Sequence, residues 1–260
     1  MICGAGSQTG ASQYTRSLDV LAIIIAGILI RPPGRLKITL LIMITSYKTT
    51  GKRNGVQMNK KLFIFEMANN HMGDVEHGKR IIEEFSRVKD EFPSFNFGMK
   101  FQFRHMDTFI HPDYHSRMDI KYVKRFRETD LTEREFWDLK TYAEDAGFIP
   151  ICTGFDEPSI SRIEEMQFPI IKIASCSFTD WPLLNRIAET DIPIIASTAT
   201  ATLPQIDNVV SFFTNRNKHL TLMHCVAEYP TGADKLQMNQ IKILKERYPG
   251  IKVGFSTHED

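Results

Sequence analysis

Residues Phe148–Ser197, FIPICTGFDEPSISRIEEMQFPIIKIASCSFTDWPLLNRIAETDIPIIAS, alternate three short apolar runs with two amphipathic segments. The runs Phe148–Thr153, Ile170–Ala174 and Ile192–Ser197 are continuously apolar, which predicts strands that are buried on both faces. Because parallel strands need crossover connections and helices supply them, this stretch predicts a βαβαβ unit.

The same alternation continues on both sides of this unit. Further strands are predicted at Leu62–Glu66, Phe97–Phe101, Leu220–His224 and Lys252–Phe255. Helices are predicted at 75–91, 132–146, 157–167, 180–190, 202–214 and 235–248. Strands of this kind, each followed by a helix, fit either a doubly wound sheet or a (β/α)₈ barrel.

Polar residues at the strand ends favour the barrel. The sequence has neither Gly-x-Gly-x-x-Gly nor a P-loop lysine motif, which disfavours a nucleotide-binding sheet. The carboxyl ends of barrel strands meet at one mouth, where active sites are built. The polar residues at these ends are Glu66, Lys100, Gln102, Thr153, Lys172, Ser175, Ser197, Thr198, His224, Ser256 and His258. We therefore predict an α/β fold of the TIM (β/α)₈ type, incomplete, with about seven strands present.

The chain divides near Met58, where a plausible start runs directly into the first predicted strand. We expect residues 1–57 to be a disordered extension or a start-site artefact, and residues 58–260 to be a barrel without its last βα unit. The apolar stretches Val20–Ile30 and Ile38–Ile44 are each too short to span a bilayer, although a signal or anchor segment stays open for the first. Without an eighth strand, the first and seventh strands are expected to keep free edges.

The overall charge excludes bulk attraction to nucleic acid or to an anionic membrane, since it is formally +1 at pH 7. Any anion must therefore be bound by a local cluster. The four cysteines, Cys3, Cys152, Cys176 and Cys225, lack the spacing of a disulfide framework. Reduced thiols and a cytoplasmic location are expected.

Seven motifs occur in an order that resembles the N-acetylneuraminate (sialic acid) synthase family. The opening motif, FEMANNHMGD at residues 65–74, is similar to the family's Glu-Ile-Gly-x-Asn-His-x-Gly. The others are Lys100–Gln102, Thr153–Asp156, Lys172–Ser175, Ile195–Thr198, His224-Cys225 with Tyr229-Pro230, and Gly254–His258. The resemblance covers residues 61–260 and implies a divergent member that lacks the family's final strand and its antifreeze-like C-terminal domain.

The resemblance implies a transferase that condenses phosphoenolpyruvate with an N-acetylmannosamine-like amino sugar to give a nonulosonic acid and phosphate. It places Lys100 and Lys172 on the charges of phosphoenolpyruvate, and Glu66 near the sugar or the attacking water. It also implies a divalent metal, Mn²⁺ or Mg²⁺, at His258, with the second ligand beyond the chain end, and a homodimer for the full-length protein. The implied substrate-binding residues are Thr153, Ser175, Ser197, Ser256, Asn70, Gln102, Phe155 and Tyr229.

The lysine assignment also has a physical basis. Two cations and several hydroxyl donors at a barrel mouth that excludes water can bind a trianion that the nearly uncharged surface would not attract. For the individual serines, capping of the next helix is an equal alternative. His224 is expected to be a hydrogen-bonded strand end, and His71 either shapes its loop or contacts substrate.

Three positions depart from the family pattern. Ser177 stands where the family usually has an acidic residue, Ala227 where it commonly has Asn or Ser, and Thr257 where it has Asp. We therefore expect phosphoenolpyruvate chemistry on a sugar other than N-acetylmannosamine itself. Two alternatives stay open: a class I lysine aldolase on the same barrel, and a catalytically inactive barrel that binds a sugar phosphate.

Overall fold

The structure is a computed structural model that describes residues 42–46 and 60–258. Its strands form one closed barrel in chain order. The strands are β1 (Ile42–Ser46), β2 (Lys61–Glu66), β3 (Phe95–Phe103), β4 (Ile149–Gly154), β5 (Ile171–Ile173), β6 (Ile194–Ser197), β7 (Leu220–His224) and β8 (Lys252–Thr257).

The helices lie between the parallel strands. They are α1 (Val75–Glu91), α2 (Met106–Phe109), α3 (Lys121–Glu128), α4 (Glu133–Asp145), α5 (Glu157–Glu165), α6 (Trp181–Glu189), α7 (Leu203–Thr214) and α8 (Asn239–Arg247). Short 3₁₀ turns occur at Pro112–Tyr114, Ser175–Ser177 and Ala233–Lys235.

The predicted fold class is confirmed, because β2 to β8 pair in parallel from each strand to the next. One helix was predicted to start too early, since residues 235–248 form a 3₁₀ turn and then α8. Gln237 between them has a φ of +48°, which a continuous right-handed helix does not allow.

The barrel is closed at the place where free edges were predicted. Strand β1 pairs antiparallel with both β2 and β8, with Ile44 opposite Phe63 on one side and Phe255 on the other. The expectation of two free edges is therefore wrong for this structure, because a segment from within residues 1–57 supplies the missing ladder partner. The remainder of that predicted extension lies outside the described residues, as do Cys3 and Glu259.

Side chains mark the starts of the main helices. Asp74 caps α1 with an oxygen 3.1 Å from the His77 amide nitrogen, and Thr132 forms a capping box with Glu135 at the start of α4. Asp156 caps α5 through the Ser159 amide at 2.8 Å. Of these three helices, α5 follows its strand most closely, since β4 ends at Gly154 and α5 begins at Glu157.

The core has two parts that follow the alternation of side chains along each strand. The outer part joins strands to helices and includes Phe65 stacked on Phe85 with ring centroids 4.1 Å apart. The inner part fills the barrel interior with Leu62, Ile64, Ile151, Ile170, Ile195 and Met223.

A long connection separates β3 from α4 and contains α2 and α3. Helix α3 lies on the surface, with Val123 as its buried residue. In the part of the chain that the structure describes, no helix is long and apolar enough to cross a membrane. Cys152, Cys176 and Cys225 form no disulfide, as expected.

Candidate active site at the carboxyl end of the barrel

A polar layer lies directly above the apolar floor of the barrel. Residues two apart on a strand face the same side of the sheet. The residue two positions after each isoleucine of the inner core therefore also faces the barrel interior. Lys100 joins them because it is the register partner of Glu66, and Ser256 faces inward from β8. The resulting lysine ring consists of Glu66, Lys100, Thr153, Lys172, Ser197 and Ser256, all of them buried.

Lys172 is the middle residue of β5, and its amino group is held by neutral oxygens. Its Nζ donates to Ser197 Oγ at 2.8 Å and to the Ile173 carbonyl at 2.9 Å. Burial, together with the nearby charge of Lys100, lowers the pKa of Lys172 to about 7. An anion bound next to this amino group would replace lost solvation and favour the charged form.

Lys100 is the second cation of the ring and forms an ion pair with Glu66. Both side chains are almost fully buried. Thr153 connects the two lysines, since its hydroxyl lies 3.5 Å from Lys100 Nζ and its backbone is the register partner of Lys172. The two predicted phosphate-binding lysines therefore share one end of the barrel and one polar layer.

The remaining predicted hydroxyl groups divide into two groups. Ser256 is buried and forms a hydrogen bond with the thiol of Cys225, whose pKa is raised mainly by burial. Ser175 lies in the 3₁₀ turn after β5, where it is half-buried. The structure thus brings Thr153, Ser197 and Ser256 into the ring and leaves Ser175 in the loop above Lys172. Cys225 was not among the predicted site residues.

His258 follows β8 and packs against Tyr229, with ring centroids 3.9 Å apart. Burial, and then the charges of Lys100 and Lys172, lower the pKa of His258 to about 4, so the imidazole is neutral at pH 7. Its Nδ1 atom is buried and has no hydrogen-bond partner in the described part of the chain. A neutral imidazole with a free nitrogen is suited to bind a metal ion.

The described residues do not complete a metal site. Within 42–46 and 60–258, no group of three His, Cys, Asp or Glu side chains is arranged to hold a metal ion. The predicted divalent metal therefore stays a prediction.

Two of the predicted substrate-binding residues, Gln102 and Phe155, contact Arg104. This guanidinium donates to Gln102 Oε1 at 2.8 Å and to Asn69 Oδ1 at 3.4 Å. It also lies over the ring of Phe155, 4.1 Å from its centroid. Gln102 and Phe155 are thus held by one cation, Arg104, that was not among the predicted site residues.

The other predicted loop residues have varied surroundings. Asn70 is half-buried after β2, and Tyr229 is 64% exposed apart from its contact with His258. His71 accepts a hydrogen bond from the Gly73 amide at 3.1 Å, consistent with a role in shaping the loop. The Nε2 atom of His224 lies 2.8 Å from the Leu236 carbonyl oxygen, so it has the hydrogen-bonded position expected for a strand end.

The departures from the family pattern have structural counterparts. Ser177, which stands where the family usually has an acidic residue, is buried in the 3₁₀ turn that follows β5. Glu66 is the carboxylate that pairs with a ring lysine. A carboxylate at this position can orient a hydroxyl group or a water molecule.

Comparisons with known proteins agree with this geometry. The model of the NeuB family matches residues 98–260. An uncharacterized protein of Methanocaldococcus jannaschii is 33% identical over 190 residues, which are 73% of this chain and 52% of that protein. A structure described as spore coat polysaccharide biosynthesis protein E of Chromobacterium violaceum is 55% identical with a TM-score of 0.74, covering 76% of this chain and 59% of that one.

The sialic acid synthetase of Leptospira borgpetersenii, solved with citrate, is 26% identical with a TM-score of 0.67, covering 83% of this chain and 71% of that one. The fold and the polar mouth define a barrel of the sialic acid synthase type. Because the family model matches more than half of the sequence, the chain belongs to the NeuB family. It spans about half the length of the curated relatives that it matches.

Proposed function

We propose that this chain forms the phosphoenolpyruvate-binding barrel of a synthase that makes a nonulosonic acid. The second substrate is an N-acetylmannosamine-like amino sugar in its open-chain aldehyde form. The observation that carries the proposal is the buried ring in which Lys100 and Lys172 face one interior with three hydroxyl groups. Membership of the NeuB family supports this class of reaction.

The reaction balances without an external oxidant or reductant. The methylene carbon of phosphoenolpyruvate forms a bond with the aldehyde carbon of the sugar, and the aldehyde oxygen takes a proton. Water then adds to the oxocarbenium carbon and gives up a proton. Cleavage of the carbon–oxygen bond releases phosphate and leaves the 2-keto acid.

The ring residues have distinct tasks in this reaction. Lys100 and Lys172 neutralise the phosphate and carboxylate charges, and their burial strengthens the attraction because little water screens it. Thr153, Ser197 and Ser256 donate hydrogen bonds that fix the orientation of the enol phosphate. Glu66 accepts a proton or positions the attacking water, and it does so from beside Lys100.

The sugar side of the proposal involves Gln102, Asn70, Phe155 and Tyr229. Ser177 and Thr257 stand where the family usually has acidic residues, so we propose an acceptor other than N-acetylmannosamine itself. A divalent metal at His258, a homodimer and a cytoplasmic location remain part of the proposal for the whole protein.

The proposal is tested by phosphate release from phosphoenolpyruvate, with and without a panel of amino sugars in the presence of Mn²⁺. We expect phosphate release only when an amino sugar is present. In Ser197→Ala, the rate of phosphate release should fall about tenfold or more, because Lys172 loses a hydrogen-bond partner. Ser211→Ala, an exposed serine of α7, is the matched control. Tight binding of phosphoenolpyruvate without turnover of any sugar would instead identify an inactive binding barrel.

A class I aldolase is a second candidate, because a lysine whose pKa is lowered to about 7 is suited to form a Schiff base. Treatment with pyruvate and borohydride separates the two candidates. An aldolase would gain the mass of a reduced pyruvyl adduct on Lys172, whereas the proposed synthase would gain none. A stable adduct that Lys172→Met abolishes would overturn the synthase proposal.

A further inference from the structure

Outside the lysine ring, three arginines surround a cavity of about 290 Å³. Arg104 reaches it from the end of β3, Arg127 from the last turn of α3, and Arg162 from α5. We call this space the arginine cavity, and its lining also includes Ser159, Asp107 and Asp130. Its volume lies near the lower end of the range for small-ligand sites, about 300–1,000 Å³.

Four side-chain atoms of residues that line this cavity lack hydrogen-bond partners within the described residues. Six buried side-chain nitrogen or oxygen atoms in the described part of the chain have no hydrogen-bond partner. Four of these six belong to residues that line the arginine cavity: Arg104 Nε, Arg127 Nε, Arg162 Nε and Ser159 Oγ. Buried polar groups in proteins are usually hydrogen-bonded, so this concentration indicates a missing acceptor.

Aromatic rings hold two of the guanidinium groups in place. Arg162 lies 5.0 Å from the ring centroid of Phe103 and 5.3 Å from that of Phe136. Arg104 lies 4.1 Å from Phe155 and 4.5 Å from Phe126. Stacking on a ring face fixes a guanidinium while leaving its N–H edge free, which is the arrangement that binds phosphate oxygens in pairs.

The charge balance of the cavity favours an anion. Asp107 and Asp130 offset two of the three arginine charges, and both aspartates are exposed. Within residues 60–258, no carboxylate lies within 4.0 Å of a guanidinium nitrogen of Arg104, Arg127 or Arg162, unlike Arg186 and Arg247, which form ion pairs. Among the lining residues alone, one net positive charge therefore remains, and the Nε atoms of all three arginines have no hydrogen-bond partner in the described part of the chain. Asp156, which lies next to the cavity, is engaged by the amides of His105 and Ser159.

We propose that the arginine cavity is a phosphate-binding site separate from the lysine ring. It takes the phosphate group either of free inorganic phosphate or of a phosphorylated sugar. Arg104 donates to Gln102, so the cavity adjoins the residues proposed to contact the sugar. Phosphate binding at this site does not depend on the synthase reaction, so the two proposals can fail separately.

The test is calorimetric titration of the whole chain with inorganic phosphate. We expect two classes of phosphate site in the unaltered chain. In the double variant Arg127→Gln/Arg162→Gln, the phosphate affinity of one class should fall about tenfold or more. The Lys172→Met chain should keep this site and weaken the other. Arg125→Gln, on the same helix but outside the cavity, is the matched control.

Two further variants keep the test decisive if the double substitution impairs folding. Arg127→Gln alone removes a guanidinium that no aromatic ring supports within the described residues, and it should still lower phosphate affinity. Arg127→Lys/Arg162→Lys keeps the charge but loses the paired donors, so binding should be weaker than in the unaltered chain.

Titration with N-acetylmannosamine 6-phosphate, and with the unphosphorylated sugar, identifies the source of the phosphate group. Tighter binding of the sugar phosphate than of inorganic phosphate, lost in Arg127→Gln, would assign a phosphorylated sugar, whereas equal binding would assign free phosphate. Unchanged phosphate binding in both Gln variants, or an equal loss in Arg125→Gln, would overturn the proposal.

Discussion

Lys172 is the central residue of a three-residue strand, and its amino group contacts two oxygens that carry no charge, at 2.8 and 2.9 Å. Lys140 offers a useful contrast because it is also buried but pairs with Glu144 on the outer helix α4. The pKa of Lys172 is lowered to about 7, since burial and the charge of Lys100 both disfavour the ammonium form. At the residue scale, the ring is therefore built to receive an anion from outside.

Replacing Lys172 with Met should weaken the binding of phosphoenolpyruvate by about ten- to a hundredfold, because a charge-assisted hydrogen bond to the ligand is lost. Isothermal titration calorimetry measures this change. Lys140→Met also removes a buried lysine, but at a distance from the ring, and should leave the affinity unchanged. Equal affinity in Lys172→Met and the unaltered chain would remove Lys172 from the binding site.

The affinity for phosphoenolpyruvate should also depend on pH. Above a pKa of about 7, Lys172 is neutral in the free protein, and the bound anion raises its pKa. Binding above this pH therefore takes up a proton, and the affinity falls as pH rises, by at most about tenfold per pH unit. Titrations in two buffers of different ionisation enthalpy measure the uptake.

The Lys172→Met chain supplies the control for this pH dependence. It should show neither the added proton uptake nor the slope above pH 7. A slope that persists in this variant would mean that another group, and not Lys172, takes up the proton.

At the scale of elements, the loop after β2 is tightly packed against the end of α3. Gly73 has a φ of +75°, and a Cβ at this position would lie 2.6 Å from the Glu128 carbonyl oxygen. A side chain cannot be added there unless one of the two backbone segments moves. This contact fixes the connection between β3 and α4, which carries Arg127, relative to the loop after β2, which carries His71.

We expect Gly73→Ala to lower the free energy of unfolding by about 1–3 kcal/mol, because the positive φ and the close carbonyl both disfavour a Cβ. Gly250→Ala is the matched control, since a Cβ there would meet no atom within 4 Å. It should change stability by less than about 0.5 kcal/mol. Urea unfolding measures both, and similar values for the two variants would contradict the packing described here.

At the scale of the whole molecule, ring closure joins strands that are distant in sequence. Strand β1 lies antiparallel between β2 and β8, in a barrel whose other strands are parallel. Exposed strand edges promote association with other chains, so the closing strand bears on solubility as well as on stability.

A chain that starts at Met58 should therefore unfold at a lower temperature than the full sequence and should associate at high concentration. Ile44→Pro in the full sequence should have a similar but smaller effect, because proline removes a ladder hydrogen bond from a strand paired on both sides. Differential scanning fluorimetry and light scattering measure these effects. Identical melting and scattering for the three chains would show that β1 does not close the barrel in solution.

Much of this organisation follows from local sequence patterns. Continuous apolar runs of Val, Ile and Phe, separated by capped helices such as α4 and α5, were enough to predict the parallel strands β2–β8 and their order. The lysine ring was also predictable, because a polar residue at the carboxyl end of each barrel strand must face the common mouth. Lys100, Thr153, Lys172 and Ser197 follow this rule.

The arginine cavity and the antiparallel closure could not be predicted in this way. Arg104, Arg127 and Arg162 lie on different elements. Strand β1 pairs antiparallel, so it lacks the strand–helix–strand pattern from which the parallel strands were predicted. The amino-acid sequence by itself determined the repeating strands and helices and the chemistry at the strand ends, because those depend on neighbouring residues. Only the tertiary structure decided which strand closes the barrel and which cations share a cavity, since both depend on contacts between segments far apart in the chain.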